Sequence, residues 1–109
     1  MAYDEILAER LREALKGERR LVEKKMFGGI AFMVRGNMCC GVQGSDLMAR
    51  IGPDEFEAML KKPHAREMDF TGKPLRGFLY VDQAGLETGR QLRYWVEKSL
   101  KYVLSLPPK

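Results

Sequence analysis

The two cysteines and the single histidine are the side chains in this sequence best suited to nucleophilic, redox or metal chemistry. Cys39 and Cys40 are adjacent, and His64 follows Pro63. Neighbouring side chains in a strand point to opposite faces, and a redox pair would instead have Cys-x-x-Cys spacing and a nearby base. A zinc site would need three or four converging ligands. We therefore expect two free buried thiols and a solvated histidine, with no catalytic residue, metal site or cofactor.

A second set of residues could bind a small ligand. Asp69 and Asp82 lie near predicted strand ends and could form a carboxylate pair, with Arg76 nearby in the sequence. Paired carboxylates can serve as general acid and base when their pKa values are driven apart. Turn hydrogen bonding explains the same two acids without any site. An uncharacterised enzyme or small-ligand site around these residues is therefore one alternative.

The basic charge is concentrated near the end of the chain. The net charge is +4 and the isoelectric point is about 9.2, yet residues 1–25 and 53–85 are nearly neutral. A solvated helix face explains the excess, and contacts to nucleic acid are the alternative. No basic motif interleaved with aromatic residues supports the alternative. The residues that carry the excess are Arg90, Arg93, Lys98, Lys101 and Lys109, against Glu87 and Glu97.

Three segments repeat apolar residues at helical spacing and predict helices. They cover residues 4–16, the stretch from Pro53 to just before Pro63, and the stretch from Thr88 to just before Pro107. Thr88 and Gln91 have the spacing of a capping box, and Pro53 suits a first helical turn. The predicted inward stripe of the first helix is Tyr3, Leu7, Leu11, Ala14 and Leu15.

Strand-like patterns fill the intervals between these helices. Runs at 21–27, 30–35, 38–43 and 47–51 follow one another closely and predict an antiparallel meander. Two further strands are predicted within 66–82, around a turn at 71–74. The expected architecture is a two-layer α+β domain that spans residues 1–109: helix, meander of about four strands, helix, two strands, helix.

The Gly36-Asn37 pair predicts a tight two-residue hairpin loop and hence a strand register. In that register Phe32 lies opposite Gly41, and Cys39 shares a face with Phe32. The opposite face remains apolar, and methionine is common at adaptable binding surfaces. We expect this second face to meet another copy or a different protein, unless the same chain covers it. Its candidate contact residues are Met33, Met38, Cys40 and Met48.

Several segments resemble the TfoX/Sxy N-terminal domain family, in order and over nearly the whole chain. They are KMFGGIAFMVRGNMCCG from Lys25, LMARIGP from Leu47, REMDFTG from Arg66, LRGFLYVD from Leu75 and the closing SLPPK. The resemblance implies a fold like that of type III secretion chaperones, which bind other proteins and often dimerise. It also implies kinship with bacterial regulators of natural competence, which act with the cyclic-AMP receptor protein and carry a second, helical domain. The family offers no catalytic residues to transfer.

The sequence as a whole predicts a non-catalytic protein-interaction domain linked to transcriptional regulation. No apolar run reaches the ~18 residues of a membrane span, and the acidic N-terminal segment does not match a signal peptide. We therefore expect a cytoplasmic protein whose partner is another protein or a second copy, forming a homodimer. Binding of nucleic acid through Arg90, Arg93, Lys98 and Lys101 is the first alternative, and a catalytic or small-ligand function is the second.

Overall fold

The computed structural model describes residues 3–18, 20–26, 28–70 and 73–108, without the side chains of 26, 68–70 and 73–76. The predicted strand end at Phe27, the turn residues Thr71 and Gly72, and Lys109 lie outside the described residues. The helices are α1 (Glu5–Leu15), α2 (Pro53–Leu60) and α3 (Gly89–Leu104). The strands are β1 (Leu21–Met26), β2 (Gly29–Val34), β3 (Asn37–Gln43), β4 (Asp46–Arg50), β5 (Ala65–Phe70) and β6 (Lys73–Val81).

The six strands form one antiparallel sheet in the order β1-β2-β3-β4-β6-β5. The first four strands are the predicted meander. The last two extend the same sheet, because β6 pairs with β4 and leaves β5 at the far edge. The predicted α+β class is confirmed.

One face of this sheet and all three helices share a single hydrophobic core. Thr88 caps α3 through the predicted capping box with Gln91. The predicted stripe of α1 is correct at Leu7, Leu11 and Leu15, but Ala14 is exposed because it lies at the margin of that stripe. The buried core residues of the helices are Leu7, Ala8, Leu11, Leu15, Phe56, Met59, Leu92, Trp95, Val96 and Val103.

The loop of the β2–β3 hairpin is Arg35-Gly36, one residue earlier than predicted. Both residues have positive φ, 55° and 84°, which a two-residue type I′ loop requires. Val34 therefore pairs with Asn37, which belongs to β3. Asn37 is buried, and its side-chain amide donates a hydrogen bond of 3.0 Å to the carbonyl oxygen of Pro107. This contact with the C-terminal segment explains an asparagine beside the turn rather than within it.

A β-bulge shifts the register of the same hairpin. Met33 pairs with Met38, but Phe32 pairs with Cys40, so Cys39 is the extra residue. The predicted pairing of Phe32 with Gly41 is therefore wrong. Gly41 lies opposite Ala31 and Met48 in the neighbouring strands, and it is Met48, not Phe32, that covers it.

Two glycines allow β2 and β3 to approach closely. A Cβ atom at Gly41 would lie 2.4 Å from the carbonyl oxygen of Ile30, and one at Gly29 would lie 2.2 Å from that of Val42. Both distances are far shorter than a van der Waals contact. Gly29 thus permits a close backbone approach to β3, and Gly41 is its counterpart in the facing strand.

An ion-pair chain holds α1 against β1. Nε and Nη2 of Arg12 donate to the two carboxylate oxygens of Glu23 at 2.7 and 2.9 Å, and Nη1 donates to Glu9 at 2.8 Å. The bidentate hydrogen bond from Arg12 lowers the pKa of Glu23 below its usual range, and burial opposes this shift only in part. The contribution of this pair to stability is therefore complete above the unfolded-state pKa and is lost as pH falls through the folded-state pKa.

We expect Glu23→Gln to lower the free energy of unfolding by about 0.5–1 kcal/mol near pH 7, because the side chains are partly exposed to solvent. The difference from the wild type should shrink as pH falls through the folded-state pKa of Glu23 and disappear once Glu23 is protonated in both states. Urea unfolding of both proteins across an acidic pH series measures it. Glu87→Gln, at an exposed position with no ion pair in the described part of the chain, is the control. A difference that persists unchanged at low pH would contradict this electrostatic account.

Candidate functional site

The methionine-rich face predicted to meet a partner is only partly exposed. Met48 lies on that face but is only 1% exposed. Met33 and Met38 pair with each other and are half-buried. The prediction that Cys40 lies on this face is wrong. Cys40 belongs to the core beneath the helices, because the bulge at Cys39 shifts it to the face of Phe32. The described surface of the second face therefore offers Met33 and Met38 but not Met48 or Cys40.

Cys39 and Cys40 are both free and fully buried, as predicted. The expectation that they point to opposite faces is wrong, since both pack in the same core and the bulge interrupts the strand alternation. The adjacent Cys39 thiol, together with complete burial, raises the pKa of the Cys40 thiol well above its ordinary value. This environment keeps Cys40 protonated and therefore weakly nucleophilic at neutral pH.

The four basic residues considered for nucleic-acid contact do not form one unpaired stripe. The Lys98 ammonium lies 3.0 Å from one carboxylate oxygen of Glu55, and that of Lys101 lies 3.6 Å from the other. The hydrogen bond from Lys98 lowers the pKa of Glu55. Arg90 and Arg93 are exposed but line two different depressions, described below. Two of the four basic side chains thus share a single carboxylate of α2.

The backbone places Asp69 and Asp82 toward opposite ends of the β5–β6 hairpin. Asp69 pairs with Pro74 toward the tip of the β5–β6 hairpin, whereas Asp82 follows the opposite end, where Ala65 pairs with Val81. Asp69 lies four residues beyond Ala65 along β5, which corresponds to about 13 Å. The side chains of Asp69 and Arg76 lie outside the described residues.

The carboxylate of Asp82 has a different partner. The Arg66 guanidinium donates to Asp82 at 3.2 Å and to Asp46, and it lies 4.9 Å from the centre of the Tyr80 ring. This cluster ties β5 to the β4 start and the β6 end. One guanidinium shared by two carboxylates explains the cluster as a structural link between these strands.

Within the described ranges, no three His, Cys, Asp or Glu side chains come together in a way that could hold a metal ion. None of the described helices combines the length and the apolar character needed to cross a membrane.

A surface groove lies between α1 and α3, and we name it the α1–α3 groove. Its volume is about 800 Å³. Ile6, at the edge of the groove, is 76% exposed, and the side chains of Leu92 and Val96 form part of the groove floor. The lining residues are Ile6, Glu9, Arg10, Glu13, Ala14, Glu18, Gly89, Leu92, Arg93, Val96, Glu97 and Leu100.

The charge of this groove is opposite to that of the whole protein. Its lining includes four carboxylates and two guanidinium groups, a net charge of −2 in a chain of net charge +4. The Arg10 guanidinium is partly engaged, since it donates to the carbonyl oxygen of Thr88 at 3.4 Å. Glutamates at positions 9, 13, 18 and 97 therefore surround an apolar floor.

A second depression lies where the α2–β5 connection meets the start of α3, and we name it the Trp95 pocket. Its volume is about 430 Å³. The rings of Tyr94 and Trp95 meet edge to face with their centres 5.4 Å apart. Gly85 allows the connection to approach closely, because a Cβ there would lie 2.8 Å from Cβ of His64. The lining residues are Lys62, Pro63, His64, Gly85, Arg90, Gln91, Tyr94 and Trp95.

The sequence analysis named several residues that line the two depressions, but it did not group them by depression. Arg90 and Arg93 were grouped by charge, whereas the fold places them in different sites. His64 was predicted to be solvated, and Trp95 lies in the apolar repeat that predicts the third helix. The exposed Ile6, an apolar residue just after the helix start and outside the inward stripe, is the signal that could have indicated the groove.

Comparison with known proteins identifies a family. The family model described as the TfoX N-terminal domain matches residues 13–103, which covers most of the chain and all three helices in whole or in part. No curated protein and no solved structure matches the sequence. The matched range includes the MFGG, LMARIGP and RGFLYVD segments. The protein therefore belongs to the TfoX N-terminal domain family.

Proposed function

We propose that this protein is a non-catalytic regulatory domain that binds a basic amphipathic helix of a partner protein in the α1–α3 groove. The observation that carries the proposal is the acidic, partly apolar lining of this groove on an otherwise basic protein. We further propose that the partner belongs to the transcription machinery, since family membership points to regulation of competence.

The shape of the groove suits a helix. Two antiparallel or crossing helices leave a furrow along their contact, and an amphipathic helix can place apolar residues at i, i+3 or i+4, and i+7 into such a furrow. Ile6 provides an exposed apolar edge, and Leu100 is half-buried at the other helix. Filling the furrow would remove Ile6 from water, which is worth about 1.5–3 kcal/mol for a fully buried isoleucine.

The negative charge of the groove favours a positively charged partner. Glu13 and Glu97 are exposed, one on each wall, and neither makes an ion pair within the described residues. Lysine or arginine residues that flank the apolar stripe of a partner helix would complement both carboxylates. Complementary charge raises the association rate and disfavours acidic partners.

We expect a helical peptide of about 15 residues with leucines at i, i+4 and i+7 and lysines elsewhere to bind the domain. Glu13→Lys together with Glu97→Lys should weaken binding by about tenfold or more, and a matching peptide with glutamates should not bind the wild type. Fluorescence anisotropy of labelled peptides measures both affinities. The matched control is Glu87→Lys, an exposed charge reversal outside the groove.

Equal binding of the lysine and glutamate peptides, or affinity that is unchanged by the double reversal, would contradict the proposed partner. The link to transcription has a separate test. Transcript levels in the native host should change when the gene encodes the double reversal and should stay at wild-type values with Glu87→Lys. Unchanged transcripts with impaired peptide binding would remove the transcriptional role while leaving the docking site.

A further inference from the structure

We propose that the Trp95 pocket binds a small anion that carries a planar aromatic ring, of the size of a mononucleotide. This binding site is independent of the α1–α3 groove, because Arg90 and Arg93 point to different depressions on α3 and no residue lines both. Its volume of about 430 Å³ is within the range of small-molecule sites.

The charge of the pocket has a single sign. Lys62 and Arg90 are its charged lining residues, His64 adds an imidazole ring, and no carboxylate lines it. None of these three side chains makes an ion pair within the part of the chain that the structure describes, whereas Arg12, Arg66 and Lys98 are all paired with acids. Cations that converge without a protein counter-ion favour an external anion.

Apart from Gln91, the remaining lining is apolar or aromatic. Tyr94 and Trp95 supply two rings, and Pro63 adds an aliphatic surface. The ammonium group of Lys62 lies 5.7 Å from the centre of the Tyr94 ring, so charge and ring surface occur side by side. A ligand that satisfied both would combine a planar ring with a phosphate or carboxylate, since rings stack on aromatic side chains and anions accept charge-assisted hydrogen bonds.

The chain carries its own reporters for this site. It contains one tryptophan and one histidine, and both line the pocket. Tryptophan emission and the NMR signals of the imidazole ring therefore report on this location alone. We expect adenosine 5′-monophosphate to change both signals in a saturable manner.

Three further probes test separately whether the charge and the ring of the ligand are needed. Adenosine lacks the charge and inorganic phosphate lacks the ring, so each should bind about tenfold or more weakly than adenosine 5′-monophosphate. Adenosine that binds equally well would overturn the role of the cations. Phosphate that binds equally well would overturn the role of the rings. An aryl carboxylate that binds as tightly as the nucleotide would support the site and assign it to aromatic anions in general.

Substitutions then locate the binding. Lys62→Gln with Arg90→Gln should weaken nucleotide binding about tenfold or more, because charge-assisted hydrogen bonds are lost. Both residues are exposed, so the variant keeps its core, and circular dichroism checks its fold. The matched control is Arg93→Gln, which lies on the same helix but outside the pocket. Equal losses in the double variant and the control would overturn the site.

The phosphorylated end of a nucleic acid is a different class of ligand that also carries an aromatic base and a phosphate. A short single-stranded oligonucleotide with a 5′-phosphate should bind no more tightly than the mononucleotide if the pocket takes free small molecules. Much tighter, salt-sensitive binding of the oligonucleotide would overturn the small-molecule proposal in favour of nucleic acid. The peptide titration of the α1–α3 groove is unaffected by either result, so the two proposals fail separately.

Discussion

Thiol reagents should modify Cys39 and Cys40 in the native protein at least about a thousandfold more slowly than in the unfolded chain, the lower end expected for domain stabilities of 5–15 kcal/mol. Both thiols are 0% exposed, and they lie on β3 at the centre of the sheet. The raised pKa of Cys40 disfavours its reactive thiolate as well. Modification should therefore require an opening that separates the helices from the sheet.

The measurement is the rate of colour release from an aromatic disulfide reagent across a urea series. The rate should rise along the unfolding transition followed by Trp95 fluorescence. Ser45→Cys places a thiol at an exposed turn and should react rapidly in the folded protein, which proves that the reagent is competent. Rapid native modification of the wild type would show that the bulged segment opens locally, independently of global unfolding.

Gly41→Ala should lower the free energy of unfolding by about 3 kcal/mol, the upper part of the range for overpacking a core. The new methyl group would lie 2.4 Å from the backbone oxygen of Ile30 and 2.7 Å from Cε of Met48. Met48 can move, but the oxygen belongs to a strand paired on both sides and cannot yield without distorting the sheet.

The same chemical change at Gly89 is the matched control. Gly89 is the first residue of α3, and a Cβ there would meet no atom within 4 Å. Gly89→Ala should be neutral or stabilising by up to about 1 kcal/mol, because alanine favours the helix and restricts the unfolded chain. Urea unfolding with Trp95 as the probe compares the two variants. Equal stabilities would show that the hairpin accommodates the methyl group by relaxation.

Local signals predicted most of this fold because they act within a few residues. The capping box at Thr88, Pro53 in a first turn and the apolar periodicity each fix a backbone segment through neighbouring atoms, and the structure confirms all three helices. The loop at Arg35-Gly36 was displaced by one residue because the decisive contact, from Asn37 to Pro107, joins positions seventy residues apart.

The bulge at Cys39 escaped prediction for a related reason. An extra residue in one strand is stabilised by the packing of both thiols under the helices, which strand alternation alone does not encode. The two candidate sites were hidden in the same way. Each site is formed by residues from helices or connections that are distant in sequence. Composition therefore revealed a basic C-terminal region. It did not reveal that Lys98 pairs with Glu55 or that Arg90 and Arg93 line different depressions.

The order of the strands also limits how this protein can be recognised. β1 and β5 end the described sheet, and each presents exposed charged side chains: Glu23, Lys24 and Lys25 on β1, and Arg66 and Glu67 on β5. Charged edges discourage a foreign strand from pairing with the backbone there. Strand addition and edge-to-edge aggregation through β1 and β5 are thereby disfavoured.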